Sequence, residues 1–217
     1  MPVEYPKRTL KKNLNREKLV VAAALLFSRN GHMRTTLNDV ASYAGVHVQT
    51  LYKHFKTKEE LAIASAEIVV TDCRKKFEEK FETHCSFAIW RDWIESTVLY
   101  LTDLGIGTYK QEQIRSASSL LNDNYLLVVY SGYEDILTEY LAKDFGMDPK
   151  TDRLPRLVAC MLWSGNEAAM KRCAGLDCAN TDLDFDEAIL GESLHVVDEV
   201  EKIFSTYIKS PRPQNTD

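Results

Sequence analysis

The 217-residue sequence has no uninterrupted apolar run near the ~20 residues that a bilayer-spanning helix needs. Its longest is LVVAAALLF, Leu19–Phe27. The cationic start MPVEYPKRTLKK is not followed by an apolar segment ending in a small-residue cleavage site, so no secretory signal is read and the expected location is cytoplasmic. No Cys-x-x-Cys pair occurs. The five cysteines (Cys73, Cys85, Cys160, Cys173, Cys178) are odd in number and scattered through helical segments, which fits reduced, packed thiols. Of the five histidines, His84 alone sits beside a cysteine, and neighbours on a helix diverge by about 100°. No metal and no other cofactor is therefore expected. Gly-x-Ser-x-Gly, His-Glu-x-x-His and the P-loop are all missing, and Gly105-Ile-Gly107 lacks the third glycine and the preceding strand of a dinucleotide site. The paired carboxylates Asp184 and Asp186 lie in an acidic stretch better explained by solvation than by acid–base work, so no enzyme is expected. Alternating apolar and polar residues flanked by turn dipeptides are also lacking, which argues against strands.

What is present is a segregated charge. Residues 1–60 hold 11 Lys and Arg against 5 Asp and Glu, a local +6, while the other 157 hold 16 against 27, a local −11. A basic module of this size points to a polyanion partner, with a solvated charged face as the competing reading. From Leu176 to Glu201 there are nine acidic residues and no Lys or Arg, a surface that would repel DNA.

The periodicity is helical nearly throughout, so the predicted fold class is all-α. Over Asn15–Arg29, Leu19, Ala23, Leu26 and Phe27 form one apolar stripe, stopped by Asn30-Gly31. Thr36 reads as an N-cap, with Asp39 completing an imperfect capping box for a helix that Gly45 ends. The next helix, about His47–His54, can bury Val46, Leu51 and Phe55, leaving Val48, Gln49, Tyr52 and Lys53 outward. Thr57-Lys-Glu-Glu60 is a second capping box and starts a long helix to about Thr83. Further helices are predicted at about 87–104, 110–122, 124–144, 152–174 and 185–208, then a frayed tail from Ser210.

Three helices, a glycine at the tight turn and a polar outward face on a short third helix describe a helix-turn-helix, whose third helix enters a major groove. Here the sequence resembles the TetR-type transcriptional regulators. The residues that carry the resemblance are Thr35-Thr36, Asp39-Val40-Ala41, Ala44-Gly45-Val46, Thr50-Leu51-Tyr52-Lys53-His54-Phe55 and Lys58-Glu59-Glu60-Leu61, spanning about residues 15–62. The resemblance implies phosphate contacts from Thr36, Thr50, Tyr52 and Lys58, and places Asn38, Val48, Gln49, Lys53 and His54 at or near base edges. Gln49 suits an adenine and Val48 a thymine methyl. His47 departs from the family's usual serine-like cap, which predicts weak N-capping and leaves open whether His47 itself reads DNA. Lys7, Arg8, Lys11, Lys12 and Arg16 fit either a basic arm along the backbone or a solubilising tail.

Two domains follow: a helix-turn-helix DNA-binding domain at 1–57 and an effector-binding and dimerisation bundle at 58–217. The resemblance implies an effector cavity in the bundle, with Phe77, Phe81, Trp93, Tyr100, Tyr125, Tyr130 and Trp163 as candidate lining residues, although aromatics at helical spacing are usually core. Both late helices are apolar over more of their circumference than one neighbour can cover, which predicts a homodimer through Leu162, Ala169, Val196, Val200, Phe204 and Tyr207. The expected function is repression of transcription from a palindromic operator, relieved by a small-molecule effector, with no membrane partner. The alternatives are a helical small-molecule carrier or enzyme with an incidental helix-turn-helix, and a regulator without a ligand.

Overall fold

The structure, a computed structural model, describes residues 6–103, 124–176 and 184–209. Among these residues all regular structure is helical: α1 (Pro6–Asn30), α2 (Leu37–Tyr43), α3 (Val48–His54), α4 (Lys58–Lys80), α5 (Ser86–Asp103), α6 (Asn124–Phe145), α7 (Leu154–Cys173) and α8 (Phe185–Phe204), closed by a 3₁₀ turn at Ser205–Tyr207. No described helix is long and apolar enough to cross a membrane. The helix expected at 110–122, with Gly105, Gly107, Tyr109, Cys178 and the tail from Ser210, lies outside the described residues.

The chain divides into two compact units. One takes α1 to α3, α4 as far as Val69, and the start of α6 as far as Val129; the other takes α4 from Val70, α5, α6 from Tyr130, α7 and α8.

In the first unit, Leu19, Val20, Ala23 and Phe27 of α1 are buried with Val40, Leu51, Phe55 and Leu61. The helix α1 begins nine residues before the predicted Asn15, because the lysine-rich segment ahead of it has no helix breaker after Pro6, and proline is well tolerated in a first turn. Its last turn is closed by Gly31 at φ 78°, and the buried Thr35 hydroxyl donates to the carbonyls of Leu26 (3.2 Å) and Gly31 (3.0 Å). The Thr36 cap is a complete box: the Asp39 amide donates to the Thr36 hydroxyl at 3.1 Å and the Thr36 amide to the Asp39 carboxylate at 2.8 Å. At the α2–α3 turn the Gly45 amide donates to Ser42 O and the Val46 amide to Ala41 O, a Schellman closure that needs the left-handed φ of +63° at Gly45.

In the second unit the main seam runs between α7 and α8, with α5 also packed on α8. Its interior holds Phe77, Phe87, Trp90, Leu137, Leu141, Phe145, Val158, Leu162 and Val197. Each helix start has its own solution for orphan amides. Pro155 sits in the first turn of α7, while the Asp184 carboxylate accepts from the Asp186 and Glu187 amides at the start of α8. The start of α5 is capped from a distance by buried Asp144, whose carboxylate accepts from the Ser86 amide at 2.7 Å. Cys73 and Cys173 are buried, and Cys85 and Cys160 are half-buried.

The inward stripe of α8 is Phe185, Ile189, Ser193, Val197 and Val200. Gly165 on α7 lies against Val196, and Arg172 of α7 pairs with Glu192 of α8 at 3.0 Å.

Candidate functional site

The short helix α3 is held by two buried anchors, Leu51 and Phe55, and everything between them faces outward or sits at the rim. Gln49, Tyr52 and Lys53 are exposed, Tyr52 by 52%, while Val48, Thr50 and His54 are half-buried. The spacing of the anchors explains this: Leu51 and Phe55 are one turn apart on one face, so the residues around Gln49, Tyr52 and Lys53 fall on the opposite face. Asn38 is exposed on α2.

His47 does cap α3. Its Nδ1 accepts from the Gln49 amide at 3.3 Å, which requires the unprotonated Nδ1 and leaves the proton on Nε2. The weak capping expected from the loss of serine is thus corrected: the imidazole nitrogen occupies the acceptor position a hydroxyl would take.

At the α2 start, the Thr36 hydroxyl donates to Asp39 at 2.7 Å, and with the Thr36 amide it holds the Asp39 carboxyl below the usual carboxylate range. Lys58 is half-buried and reaches the Met33 carbonyl at 3.4 Å, with Asp39 within its electrostatic reach. Thr36 and Lys58 therefore meet around Asp39 at the amino end of α2. The second box is shifted by one residue: the Glu60 amide donates to the Thr57 hydroxyl, but the Glu60 carboxylate accepts from the Lys56 amide at 2.8 Å.

From α1, Arg16 lies over the Phe55 ring, 5.2 Å from its centroid. Burial first, then the charges of Lys12 and Arg16, push the His54 imidazole below the usual histidine value. Arg16 of the N-terminal basic run thus lies beside the end of α3, with Lys12 within electrostatic reach of His54. Exposed cations such as Lys53 can bind phosphate oxygens, and an exposed glutamine such as Gln49 can present a bidentate amide to a base edge.

The seven residues expected around an effector fall in several places. Trp93, Tyr130 and Trp163 are brought together by Tyr133, whose ring lies 6.0 Å from both Trp93 and Trp163. Tyr130 also contacts Trp163, and Trp90 packs edge-on to Tyr133 at 5.3 Å. Phe77 and Phe81 instead surround Tyr140, at 5.0 and 4.8 Å. Tyr100 is 58% exposed. Tyr125 belongs to the first unit, where it packs on Phe27 and its hydroxyl shares a 3.1 Å hydrogen bond with Ser28. Asn166, which the sequence did not single out, is buried one turn after Trp163; a polar residue at that spacing on an apolar helix was the available clue.

Of the residues expected at a dimer interface, Leu162, Ala169 and Val200 are already covered within the protomer, at 0%, 3% and 6% exposure. Val196 and Phe204 are half-buried, and Tyr207 is exposed, leaning on Phe145 and Phe204. The helix faces left open carry Leu157, Met161 and Ala168 on α7, and Leu190, Leu194 and Ile203 on α8.

Residues 19–64 match the family model described as bacterial regulatory proteins, tetR family. A curated relative, an uncharacterized HTH-type transcriptional regulator YerO of Bacillus subtilis (strain 168), is 28% identical over 105 residues, which cover 42% of this chain and 36% of that protein. Only about a third of that relative's length is thus spanned. Among solved structures, the transcriptional regulator FadR of Bacillus subtilis in complex with stearoyl-CoA superposes with a TM-score of 0.56 at 19% identity, covering 85% of this chain and 96% of FadR. SmeT, the repressor of the Stenotrophomonas maltophilia multidrug efflux pump SmeDEF, gives 0.54 at 20% identity, covering 90% and 91%. At these identities the likeness establishes the fold.

Proposed function

We propose that this chain, whose residues 19–64 match the tetR family model, is a regulator of that family: a cytoplasmic repressor that binds a palindromic operator as a homodimer and is released by a small-molecule effector. The observation that carries this reading is α3: a two-turn helix pinned by Leu51 and Phe55, with Gln49, Tyr52 and Lys53 presented outward. A solvent-facing surface has no use for so short a helix with its own cap at His47, whereas a major groove accommodates one or two turns. Residues 1–57 would read DNA and residues 58–217 would bind the effector and the second subunit.

The proposed base contacts are Gln49, Val48 and Lys53, joined by Asn38 and His54. The proposed phosphate contacts are Thr50, Tyr52, Thr36 and Lys58, and the proposal adds Arg16, which lies over Phe55, and Lys12. At the amino end of α2 a phosphate would compete with Asp39 for the Thr36 hydroxyl and the Lys58 ammonium. The open apolar faces of α7 and α8 supply a two-fold interface, and two-fold symmetry presents two α3 helices to the two half-sites of a palindrome.

FadR in complex with stearoyl-CoA and SmeT in complex with triclosan are folds of this kind with small molecules bound. By analogy, the C-terminal helices here would hold the effector, which shifts the equilibrium only through a different affinity for the DNA-bound and released states. A gel shift against the DNA upstream of its own gene, run across a salt series, tests the whole reading: retardation that weakens steeply with salt is expected. Absence of any shift at low salt with every genomic fragment would remove DNA binding from the account.

A further inference from the structure

That the C-terminal helices hold an effector is the reading proposed above, and this inference rests on it by naming the ligand's chemistry. We propose that the cluster of Trp90, Trp93, Tyr130, Tyr133 and Trp163 binds an uncharged, planar aromatic molecule that carries a hydrogen-bond acceptor on its ring.

The five residues come from α5, α6 and α7 of the second unit. Trp90 and Trp93 meet Tyr133 edge to face, with interplanar angles of 75° and 78°, while Trp163 is tilted against Tyr133 by 53°. Trp90, Tyr130 and Tyr133 are buried, and Trp93 and Trp163 are half-buried, so the cluster has a deep side and an accessible one. A cluster of rings set on edge offers both faces and rims to another ring, the arrangement that offset and edge-to-face packing favours.

Packing alone does not account for the polar atoms. Indole N–H groups in a protein core ordinarily find an acceptor. Here the Nε1 atoms of both Trp90 and Trp93 are buried without a hydrogen-bond partner among the described residues, and so is the Oδ1 atom of Asn166, one turn along α7 from Trp163. Two donors in one aromatic cluster that no described residue meets suit an acceptor brought by a ligand. A saturated acyl chain would fill space and leave both unmet, which disfavours it as the occupant.

The charges that adjoin the cluster are already matched. Lys76, whose ammonium lies 5.9 Å from the Trp93 ring centroid, pairs with Asp92 at 3.3 Å and donates to the Asp92 carbonyl at 3.0 Å. Beside Tyr133, Glu134 pairs with Arg156, which also holds Asp135 at 3.0 Å. A ligand bearing a full charge would have to break one of these pairs, so an uncharged one is favoured.

The chain's three tryptophans are Trp90, Trp93 and Trp163, so tryptophan emission, excited selectively over the tyrosines, reports on this cluster. The probes are quinoline and naphthalene, which share a shape and differ by one ring nitrogen, together with dodecanoate, all titrated into the full-length protein at mildly alkaline pH, where quinoline is uncharged. Binding is followed by tryptophan emission and checked by equilibrium dialysis. Quinoline should bind at least about tenfold more tightly than naphthalene, the worth of one well-placed hydrogen bond. Trp90→Phe, which keeps a ring and removes the N–H, should bring quinoline toward naphthalene's affinity without weakening naphthalene. Trp93→Phe, at a less buried position, makes the same comparison where Trp90→Phe perturbs folding. Equal affinities for quinoline and naphthalene, no binding of either, or tighter binding of dodecanoate would overturn the proposed ligand class. The broader effector reading fails on a different result: a small-molecule extract of the native cells that leaves operator binding unchanged.

Discussion

Gly165 on α7 faces Val196 on α8 so closely that a methyl group at residue 165 would overlap the valine side chain. On an exposed helix, glycine to alanine is favourable by about 1 kcal/mol. Here the sign should reverse. Gly165→Ala is expected to destabilise the fold by roughly 1–3 kcal/mol through overpacking, and adding Val196→Ala should recover most of that loss. Urea unfolding midpoints of the two variants decide the matter, and an unaffected midpoint in Gly165→Ala would mean the seam yields easily.

Asp144 should matter out of proportion to its distance in sequence from the helix it caps. Its buried carboxylate accepts from the Ser86 amide, and removing it strands that donor. Asp144→Ala should cost about 1.5–3 kcal/mol, the range for a hydrogen bond to a charged group, while Asp144→Asn, which keeps an acceptor oxygen, should cost less. The two can be compared by the same urea titration.

The proposed reading assigns two kinds of DNA contact to the first unit. Gln49→Ala should cost roughly 1–3 kcal/mol and relax discrimination mainly at one operator position, whereas Lys53→Ala should weaken base readout and Lys12→Ala all sequences alike, flattening the salt slope by about one unit. Binding to a panel of single-base operator variants at two salt concentrations distinguishes them. A uniform loss in Gln49→Ala would move that residue from base to backbone.

His54 gives the first unit a pH dependence. Its folded-state value is pushed down by burial and then by Lys12 and Arg16, so the folded state holds fewer protons than the unfolded chain. Stability should therefore fall as the pH drops through and below the ordinary histidine value of about 6.5. His54→Gln should flatten this dependence. Unfolding midpoints followed between about pH 7.5 and about pH 5.5 provide the measurement.

Protomer burial divides the expected interface residues into those that hold the fold and those free to meet a partner. Val200 is 6% exposed, so Val200→Glu should impair folding by placing a charge in the core. Leu157 and Ile203 are 55% and 57% exposed, so Leu157→Glu with Ile203→Glu should leave a folded monomer with weak operator binding. Sedimentation settles both halves; a wild type that sediments at 24.8 kDa at micromolar concentration has no dimer to break.

Much of the helix-turn-helix was legible because short-range chemistry sets it. Thr36 and Asp39 are three residues apart, Gly45 supplies a backbone angle, and Leu51 and Phe55 share a face, all facts of local spacing. The acceptor at His47 was not legible because histidine is not among the usual hydroxyl and carboxylate caps, yet its imidazole Nδ1 can reach the amide two positions on. The aromatic candidates scattered for another reason. Periodicity shows that Phe77, Trp93 and Tyr125 face inward on their helices, but not which neighbour each helix meets, and these three end in different surroundings. In α8 the apolar residues cover more than one face, so the inward stripe at Ile189, Val197 and Val200 was decided by α5 and α7 and was not readable from the helix itself.

Tyr125 packs on Phe27 and bonds Ser28, 97 positions earlier in the chain. Phe27 is 1% exposed and Tyr125 2%. A fragment ending near residue 69, or a graft that exchanges only that segment for another protein's, would leave one wall of this core open to water. The unit that carries the helix-turn-helix is therefore not a contiguous cassette: a working transplant has to carry the opening turns of α6 with it, or supply a replacement for Tyr125 that fits against Phe27.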